Sequence, residues 1–260
     1  MTTTRPAAVS GLFYPGETDA LKASLVGMLA DARTDFDSAP KALIAPHAGY
    51  VYSGPIAATA YRLLERHREA VRRVVLIGPA HRVYLNGLAF PSVDAFETPL
   101  GSVPLDREAI EQALTLPGTG VSDEAHAMEH SLEVHLPFLQ TVLGEFTLIP
   151  IVVGRCEPGA VARVLEDFWD DETLFVISSD LSHYHSYDQA RKLDARTTAR
   201  ILSREDRLEG EEACGAAAIN GLMLLARQHD LTVTELDVRN SGDTAGDRHQ
   251  VVGYGAYALH

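Results

Sequence analysis

Four short apolar runs alternate with longer segments of helical periodicity, and this alternation restricts the fold more than any other feature of the sequence. The runs are rich in β-branched residues and occupy residues 41–46, 72–79, 146–154 and 173–180. Continuous hydrophobicity is typical of strands that are buried on both faces of a parallel sheet. The sequence therefore predicts an α/β fold with these four strands near its centre.

The segments between the runs predict helices that cover the sheet. Residues 54–70 repeat apolar side chains at intervals of three and four, with Pro55 in the expected first turn. Similar patterns predict helices over residues 131–143, 157–169, 186–206 and 213–228. A strand, a Gly-rich loop and a final strand are expected over residues 231–238, 240–247 and 250–259.

No internal repeat or linker-like segment separates these elements. We therefore predict a single domain over residues 1–260. Its expected architecture is a sandwich with a central mixed, largely parallel sheet flanked by helices.

The charge and the cysteines argue against several classes of function. The chain carries 22 Lys and Arg against 36 Asp and Glu, a formal net charge of −14. Such a charge repels phosphate backbones and anionic lipid surfaces, so we expect neither a nucleic acid nor a membrane as a partner. The N-terminal residues also lack the apolar core of a signal peptide or anchor. Cys156 and Cys214 lie far apart, so we expect buried, unpaired thiols in a reducing cytoplasm.

Histidines follow the ends of the predicted strands. Of the 11 histidines, His47 follows the first strand and His81 the second. The segment SSDLSHYH follows the fourth strand and supplies Asp180 and His183. One such histidine alone is more often a hydrogen-bonded loop residue, but parallel strands bring their carboxyl ends to one edge of the sheet. Several together therefore predict a shared metal or acid–base site.

A further His-rich segment, DEAHAMEHSLEVH, allows more than one interpretation. Within it, HAMEH matches the pattern H-x-x-E-H, in which two histidines bind zinc beside a glutamate base. The carboxylates of Glu129 and Glu133 are equally suited to capping or to supporting contacts. The chain has no G-x-S-x-G elbow, P-loop or dinucleotide-binding motif, so we expect neither a serine hydrolase nor a nucleotide cofactor.

Seven ordered blocks cover nearly the whole chain: RPAAVSGLFYPG, APHAGYVYSGPIAATAY, VVLIGPAHRVYLNGLAF, ETPLGSVPLD, EHSLEVHLPFLQ, SSDLSHYH and SGDTAGDRHQVVGYGAYAL. Together they resemble the Memo family, whose prokaryotic members are labelled AmmeMemoRadiSam system protein B. That family is similar in fold to class III extradiol dioxygenases, which place a non-haem iron at one edge of a mixed sheet. The resemblance implies a divalent metal, Fe(II) in the first place, with copper or zinc as alternatives.

The resemblance also implies a set of metal ligands. His47 and His81 would be the metal-binding imidazoles, and His183 the acid–base histidine beside them. The third ligand is a glutamate in the dioxygenases and a cysteine near the start of the last loop in animal Memo proteins. Counting back from the final strand places Thr244 at that cysteine, with Asp243 beside it. Because a hydroxyl is a poor ligand for a divalent metal, we expect Asp243 or water to complete the site.

The expected chemistry is an oxidation with O2 at a metal that two histidines and a carboxylate hold. His183 would act as the base, with Asp180 orienting it. Contacts with the substrate are expected from Phe13, Tyr50, Tyr52, His130 and Glu133. In animal members, the position of Phe13 forms the aromatic wall of a pocket for phosphotyrosine peptides. The ligand is therefore expected to be a small molecule or a peptide.

Three hypotheses of function remain open from the sequence. The first is a metal-dependent oxidoreductase of extradiol type. The second is a non-catalytic adaptor that binds a ligand or a peptide in the same pocket. The third is a zinc hydrolase that depends on Glu129. The family label also implies AMMECR-type and radical-SAM proteins as partners.

Overall fold

A computed structural model describes residues 2–34 and 38–260. Its strands are β1 (Thr4–Arg5), β2 (Ala42–Ala45), β3 (Arg73–Pro79), β4 (Leu88–Phe90), β5 (Ala95–Thr98), β6 (Gly101–Pro104), β7 (Thr119–Val121), β8 (Thr147–Val153), β9 (Thr173–Ser178), β10 (Asp180–His185), β11 (Val233–Asn240) and β12 (Val251–Leu259). Its helices are α1 (Thr18–Asp31), α2 (Tyr50–Arg62), α3 (Arg107–Ala113), α4 (Asp123–Ala127), α5 (His130–Glu133), α6 (Leu136–Val142), α7 (Pro158–Asp167), α8 (Tyr187–Leu202) and α9 (Ala216–Gln228). Short 3-10 helices lie at Leu63–Arg66 and Ser241–Asp243.

The four apolar runs form the parallel centre of the main sheet, in the order β2-β9-β3-β8. All residues of β2 and β9 are buried, as strands covered on both faces require. Beyond β8 the sheet continues with β4, which is antiparallel to β8, and then β7. At the opposite side β12 runs antiparallel to β2, β10 and β11. The prediction of an α/β fold with a central mixed sheet is confirmed.

Two groups of helices flank this sheet. Helix α2 packs against β2, β11 and β12 and also against α1 and α6. Helix α9 packs against β3 and β9 and against α7. None of the helices in the described part of the chain has the length and apolarity needed to cross a bilayer.

Two predicted helices differ in their boundaries. Helix α2 begins at Tyr50 rather than at residue 54, so Pro55 lies inside it. A proline there cannot donate to the carbonyl of Val51, but Val51 is exposed and water can satisfy that carbonyl. The helix predicted over residues 131–143 is divided into α5 and α6, with a proline in the first turn of α6.

The segment after β9 forms a strand that the sequence pattern did not indicate. SSDLSHYH supplies all of β10, which pairs with β12. The register shifts between Asp180 and His183 and again between His183 and His185, and Tyr184 has a left-handed φ of 60°. Such bulges commonly redirect side chains near functional sites. The small sheet of β1, β5 and β6 was also not predicted, because its strands have only two to four residues.

Candidate metal centre

The carboxyl ends of the parallel strands bring three imidazoles together. His47 follows β2 and His81 follows β3, while His130 begins α5. The ring centroid of His47 lies 5.1 Å from that of His81 and 5.5 Å from that of His130. The rings of His81 and His130 stack at 4.7 Å. Of the strand-end histidines predicted to converge, His47 and His81 therefore meet in the structure, and His130 joins them from a helix start.

Cys214, predicted from the sequence only as a buried, unpaired thiol, lies in this cluster. Its Sγ lies 3.4 Å from His47 Nε2. Ligand-type atoms of His47, His81 and Cys214 all lie within 4.8 Å of one another. No local motif marks this cysteine, because 133 or more residues separate it from both histidines.

Gly215 allows the turn that carries Cys214 to approach the end of β9. A Cβ atom at this position would lie 2.5 Å from the carbonyl oxygen of Ser178 and 2.7 Å from Ser179 Cβ. The Gly215 N–H donates to Ser179 Oγ at 2.9 Å. The Cys214 N–H donates to the Asp180 carbonyl at 3.2 Å, and Cys214 Sγ accepts the Asp180 N–H at 3.3 Å. These contacts fix the sulfur at the sheet edge.

The partners of Ser178 assign the protonation of His47. Ser178 Oγ donates to the carbonyl of Ser131 at 2.6 Å, because a carbonyl can only accept. The hydroxyl must then accept from His47 Nδ1 at 2.6 Å and from His135 Nε2 at 2.9 Å. Tyr61 in turn donates its hydroxyl to His135 Nδ1 at 2.8 Å. Neutral His47 therefore carries its proton on Nδ1 and directs the lone pair of Nε2 toward Cys214.

Glu129 orients His81 in the same way. Its Oε1 lies 2.9 Å from His81 Nδ1, and its Oε2 accepts the His81 backbone N–H at 2.6 Å. Burial alone would raise the pKa of the Glu129 carboxyl, but hydrogen bonds from His81 and from the Ser131 N–H lower it to about 2. A carboxylate that holds one ring nitrogen leaves the other free for a metal, which is a common arrangement around metal-binding histidines.

Burial opposes the charged forms of the remaining groups of the cluster. It raises the pKa of the Cys214 thiol to about 12 and that of the Asp180 carboxyl to about 7. Burial and then the neighbouring imidazoles hold the pKa of His47 well below its ordinary value. Burial likewise lowers the pKa of His130 to about 4. A cation would therefore meet neutral imidazoles and would have to displace the thiol proton.

The two residues predicted to be catalytic lie on β10 beside this cluster. Asp180 Oδ1 accepts the backbone N–H of His47 at 2.8 Å, and its Oδ2 lies 4.0 Å from His47 Nε2. His183 is half-buried, and burial lowers its pKa, with a smaller effect from the charge of His81. The Asp180 carboxylate is thus hydrogen-bonded to the backbone of His47.

Asp243 lies in a different environment from the one expected. Its Oδ1 accepts the Tyr187 hydroxyl at 2.6 Å, and its Oδ2 accepts the Asn240 N–H at 3.1 Å as part of a capping box. Among residues 2–34 and 38–260, two metal-type groups of ligand side chains occur: one of His47, His81 and Cys214, and one of His81, Glu129 and His130. Neither contains Asp243 or Thr244. The third ligand-type atom beside the two histidines is the Cys214 sulfur instead.

Of the residues expected to contact substrate, Phe13 and Tyr52 are at least partly exposed, whereas Tyr50 and Glu133 are buried. Phe13 packs on His130 at 4.7 Å, and Tyr52 is 40% exposed close to Gly49. Tyr50, in contrast, is buried and donates its hydroxyl to the Val134 carbonyl. Glu133 is fully buried and lies 2.7 Å from the Arg5 guanidinium.

The HAMEH motif does not form a two-histidine site. His126 Nε2 lies 2.9 Å from the Ala89 carbonyl, and its ring packs on Phe96 at 5.9 Å. Neither metal-type group in the described part of the chain includes His126. The low pKa of Glu129 and its engagement with His81 also make it a poor base.

Comparison with known proteins identifies the family. The sequence profile of the Memo-like proteins matches residues 5–258. A MEMO1 family protein of Aquifex aeolicus is 37% identical, over 96% of this chain and 97% of the relative. MEMO1 family proteins of Methanopyrus kandleri and Thermoplasma volcanium are 34% and 33% identical, over 97% and 96% of both chains. The chain therefore belongs to the Memo-like family.

Proposed function

We propose that the protein is a metal-dependent oxidoreductase whose cation is bound by His47, His81 and Cys214. The observation that carries this proposal is the approach of Cys214 Sγ to within 3.4 Å of His47 Nε2. Ser178 and Glu129 hold the Nδ1 atoms of the two histidines, which leaves both Nε2 lone pairs available.

The spacing of the donor atoms fits a coordinated cation. Tetrahedral coordination with metal–nitrogen and metal–sulfur bonds of about 2.0 and 2.3 Å places the two ligand atoms about 3.5 Å apart. The observed separation between His47 Nε2 and Cys214 Sγ is 3.4 Å. The second metal-type group, made of His81, Glu129 and His130, is already joined by the bond that orients His81. We infer that Glu129 and His130 of this second group support His81 and do not themselves coordinate the cation.

Two imidazoles and a thiolate suit iron, copper and zinc better than magnesium or calcium. Fe(II) remains our first expectation from the resemblance to extradiol dioxygenases, although a sulfur replaces the carboxylate of that ligand set. A redox-active cation at this position would supply electron transfer between a chelating substrate and O2.

The side chains around the cation would handle protons and orientation. His183 is neutral at pH 7 because burial lowers its pKa, so it is able to accept a proton from a bound enol or phenol. Asp180 holds the backbone of His47, and Glu129 holds the ring of His81. Phe13 and Tyr52 would form the walls on the exposed side.

The proposal predicts one cation per chain that depends on both histidines. We expect stoichiometric metal in protein purified without oxygen and loaded with Fe(II), Cu(I) or Zn(II), measured by elemental analysis. His47→Ala and His81→Ala should each lose most of it, because two donors rarely retain a cation against buffer. His249→Ala, an exposed histidine outside the cluster, is the matched control. Equal metal content in all four proteins would contradict the assignment.

Glu129→Gln separates the oxidoreductase from a zinc hydrolase. As the partner of His81, Glu129 should contribute about 10- to 100-fold to metal affinity, which competition with a chromogenic chelator measures. A hydrolase base would instead leave metal affinity unchanged and abolish ester or peptide hydrolysis. Unaltered affinity in Glu129→Gln would therefore speak against the supporting role.

Exposed apolar side chains that neighbour site residues in the sequence favour the adaptor hypothesis. Four apolar side chains that are 59 to 81% exposed lie within three sequence positions of Phe13, His81, Glu129 or His183. They are Leu12, Tyr84, Met128 and Tyr184. If this surface binds a peptide without turnover, its affinity should not change when a chelator removes the metal. The oxidoreductase proposal expects metal-dependent consumption of O2 with a suitable diol.

A further inference from the structure

A cavity of about 270 Å³ adjoins the sulfur of Cys214. It lies where β3 and β8 end and α9 begins, and it is lined by Pro79, Val83, Tyr84, Arg155, Cys214 and Ala217, among others. Because Cys214 also belongs to the metal-type group, a molecule in this cavity would lie next to the proposed cation. The volume suits a small organic molecule rather than a macromolecule.

The cavity wall combines apolar side chains with a single charged one. Most of its side chains are apolar, and among the described residues that line it Arg155 is the only charged one. Its guanidinium makes no ion pair or hydrogen bond within residues 2–34 and 38–260. In contrast, Arg73 and Arg200 each pair with two carboxylates. An unpaired cation beside apolar walls fits an apolar molecule with one anionic group.

We propose that this cavity binds the substrate of the metal centre and that the substrate is a small organic carboxylate held by Arg155. Its apolar body packs against Val83 and Ala217, and its carboxylate pairs with the guanidinium. A single cation in a chain of net charge −14 suits a monoanion better than a phosphate dianion. As an assignment of substrate class, the inference rests on the proposed function.

The test uses benzoate and its neutral analogue benzamide as probes on the full-length, metal-free protein. Affinities are measured by NMR titration. We expect benzoate to bind about tenfold more tightly than benzamide, because a charge-assisted hydrogen bond contributes on this scale. Arg155→Gln should remove this difference, whereas Arg163→Gln, an exposed arginine on α7 outside the cavity, should retain it. Ala217→Leu should weaken both probes by filling the cavity.

Three results would overturn the inference. These are equal affinities of the two probes for the unmodified protein, a benzoate preference that survives Arg155→Gln, and tighter binding of phenyl phosphate than of benzoate. The metal content of Arg155→Gln should equal that of the unmodified protein. Arg155-dependent benzoate binding in a protein whose metal does not depend on His47 would overturn the metal proposal and support only a carboxylate site.

Discussion

Cys214→Ala is expected to abolish stoichiometric metal binding while the chain remains folded. The sulfur is the only ligand-type atom of the group that becomes anionic, and its removal leaves two neutral imidazoles. We expect metal affinity to fall by more than about 100-fold, beyond the effect of a supporting residue. Chelator competition measures the affinity, and thermal unfolding of the metal-free variant checks the fold.

Cys156→Ala is the matched control for this prediction. Cys156 is the other free cysteine, half-buried just before α7, and it belongs to neither metal-type group in the described part of the chain. Its removal should leave metal affinity unchanged. Equal affinity in Cys214→Ala and the unmodified protein would remove the sulfur from the ligand set.

Glu133→Gln is expected to lower the free energy of unfolding by about 3–5 kcal/mol, because it breaks a buried ion pair by neutralising one partner. Glu133 is 0% exposed and Arg5 only 5%. The carboxylate accepts from the Arg5 guanidinium and the Tyr14 hydroxyl at 2.7 Å and from the N–H groups of Ala8 and Val9. An amide in its place leaves the guanidinium buried without a counter-charge.

Urea denaturation measures this loss. The control is Glu111→Gln, an exposed residue of α3, for which a change within about 0.5 kcal/mol is expected. Adding Arg5→Met to Glu133→Gln should cost less than the sum of the single changes, since the unpaired charge is then removed. A loss below 1 kcal/mol in Glu133→Gln would contradict the structural role and restore the expectation that Glu133 contacts substrate.

The Arg5–Glu133 pair also links the N-terminal segment to the histidine cluster. Arg5 donates to the carbonyls of His126 and Glu129 at 2.6 and 2.8 Å. These contacts hold the backbone of the segment that carries Glu129 and His130. The sequence indicates that this segment is functional, but not that Glu133 holds the N-terminal segment through Arg5.

The central strands and the two strand-end histidines were predictable because both depend on local pattern. Apolar runs of suitable length specify buried parallel strands, and His47 and His81 follow two of them directly. The strand β10 was not predictable, because its polar residues pair only through β12, which lies about 70 residues further along the chain.

Cys214 and Asp243 show how tertiary packing decides which side chains lie beside the two histidines. Counting along the last loop favoured Asp243, but its carboxylate caps a short helix and binds Tyr187. Cys214 is brought to His47 by the tight contact of Gly215 with β9, which depends on tertiary packing across more than 30 residues. Neither contact has a local signature in the chain.

The hydrogen-bonding capacity of the Ser178 hydroxyl is filled, so proton exchange at His47 is confined to one of its two ring nitrogens. The hydroxyl oxygen accepts two hydrogen bonds and donates one, so it has neither a spare lone pair nor a spare proton. A proton from Tyr61 can reach His47 through His135 and Ser178 only if the hydrogen bond between His47 and Ser178 reverses, and His47 Nδ1 already carries a proton. Hydronium and any metal ion must therefore compete for a single atom, Nε2, which faces the Cys214 sulfur.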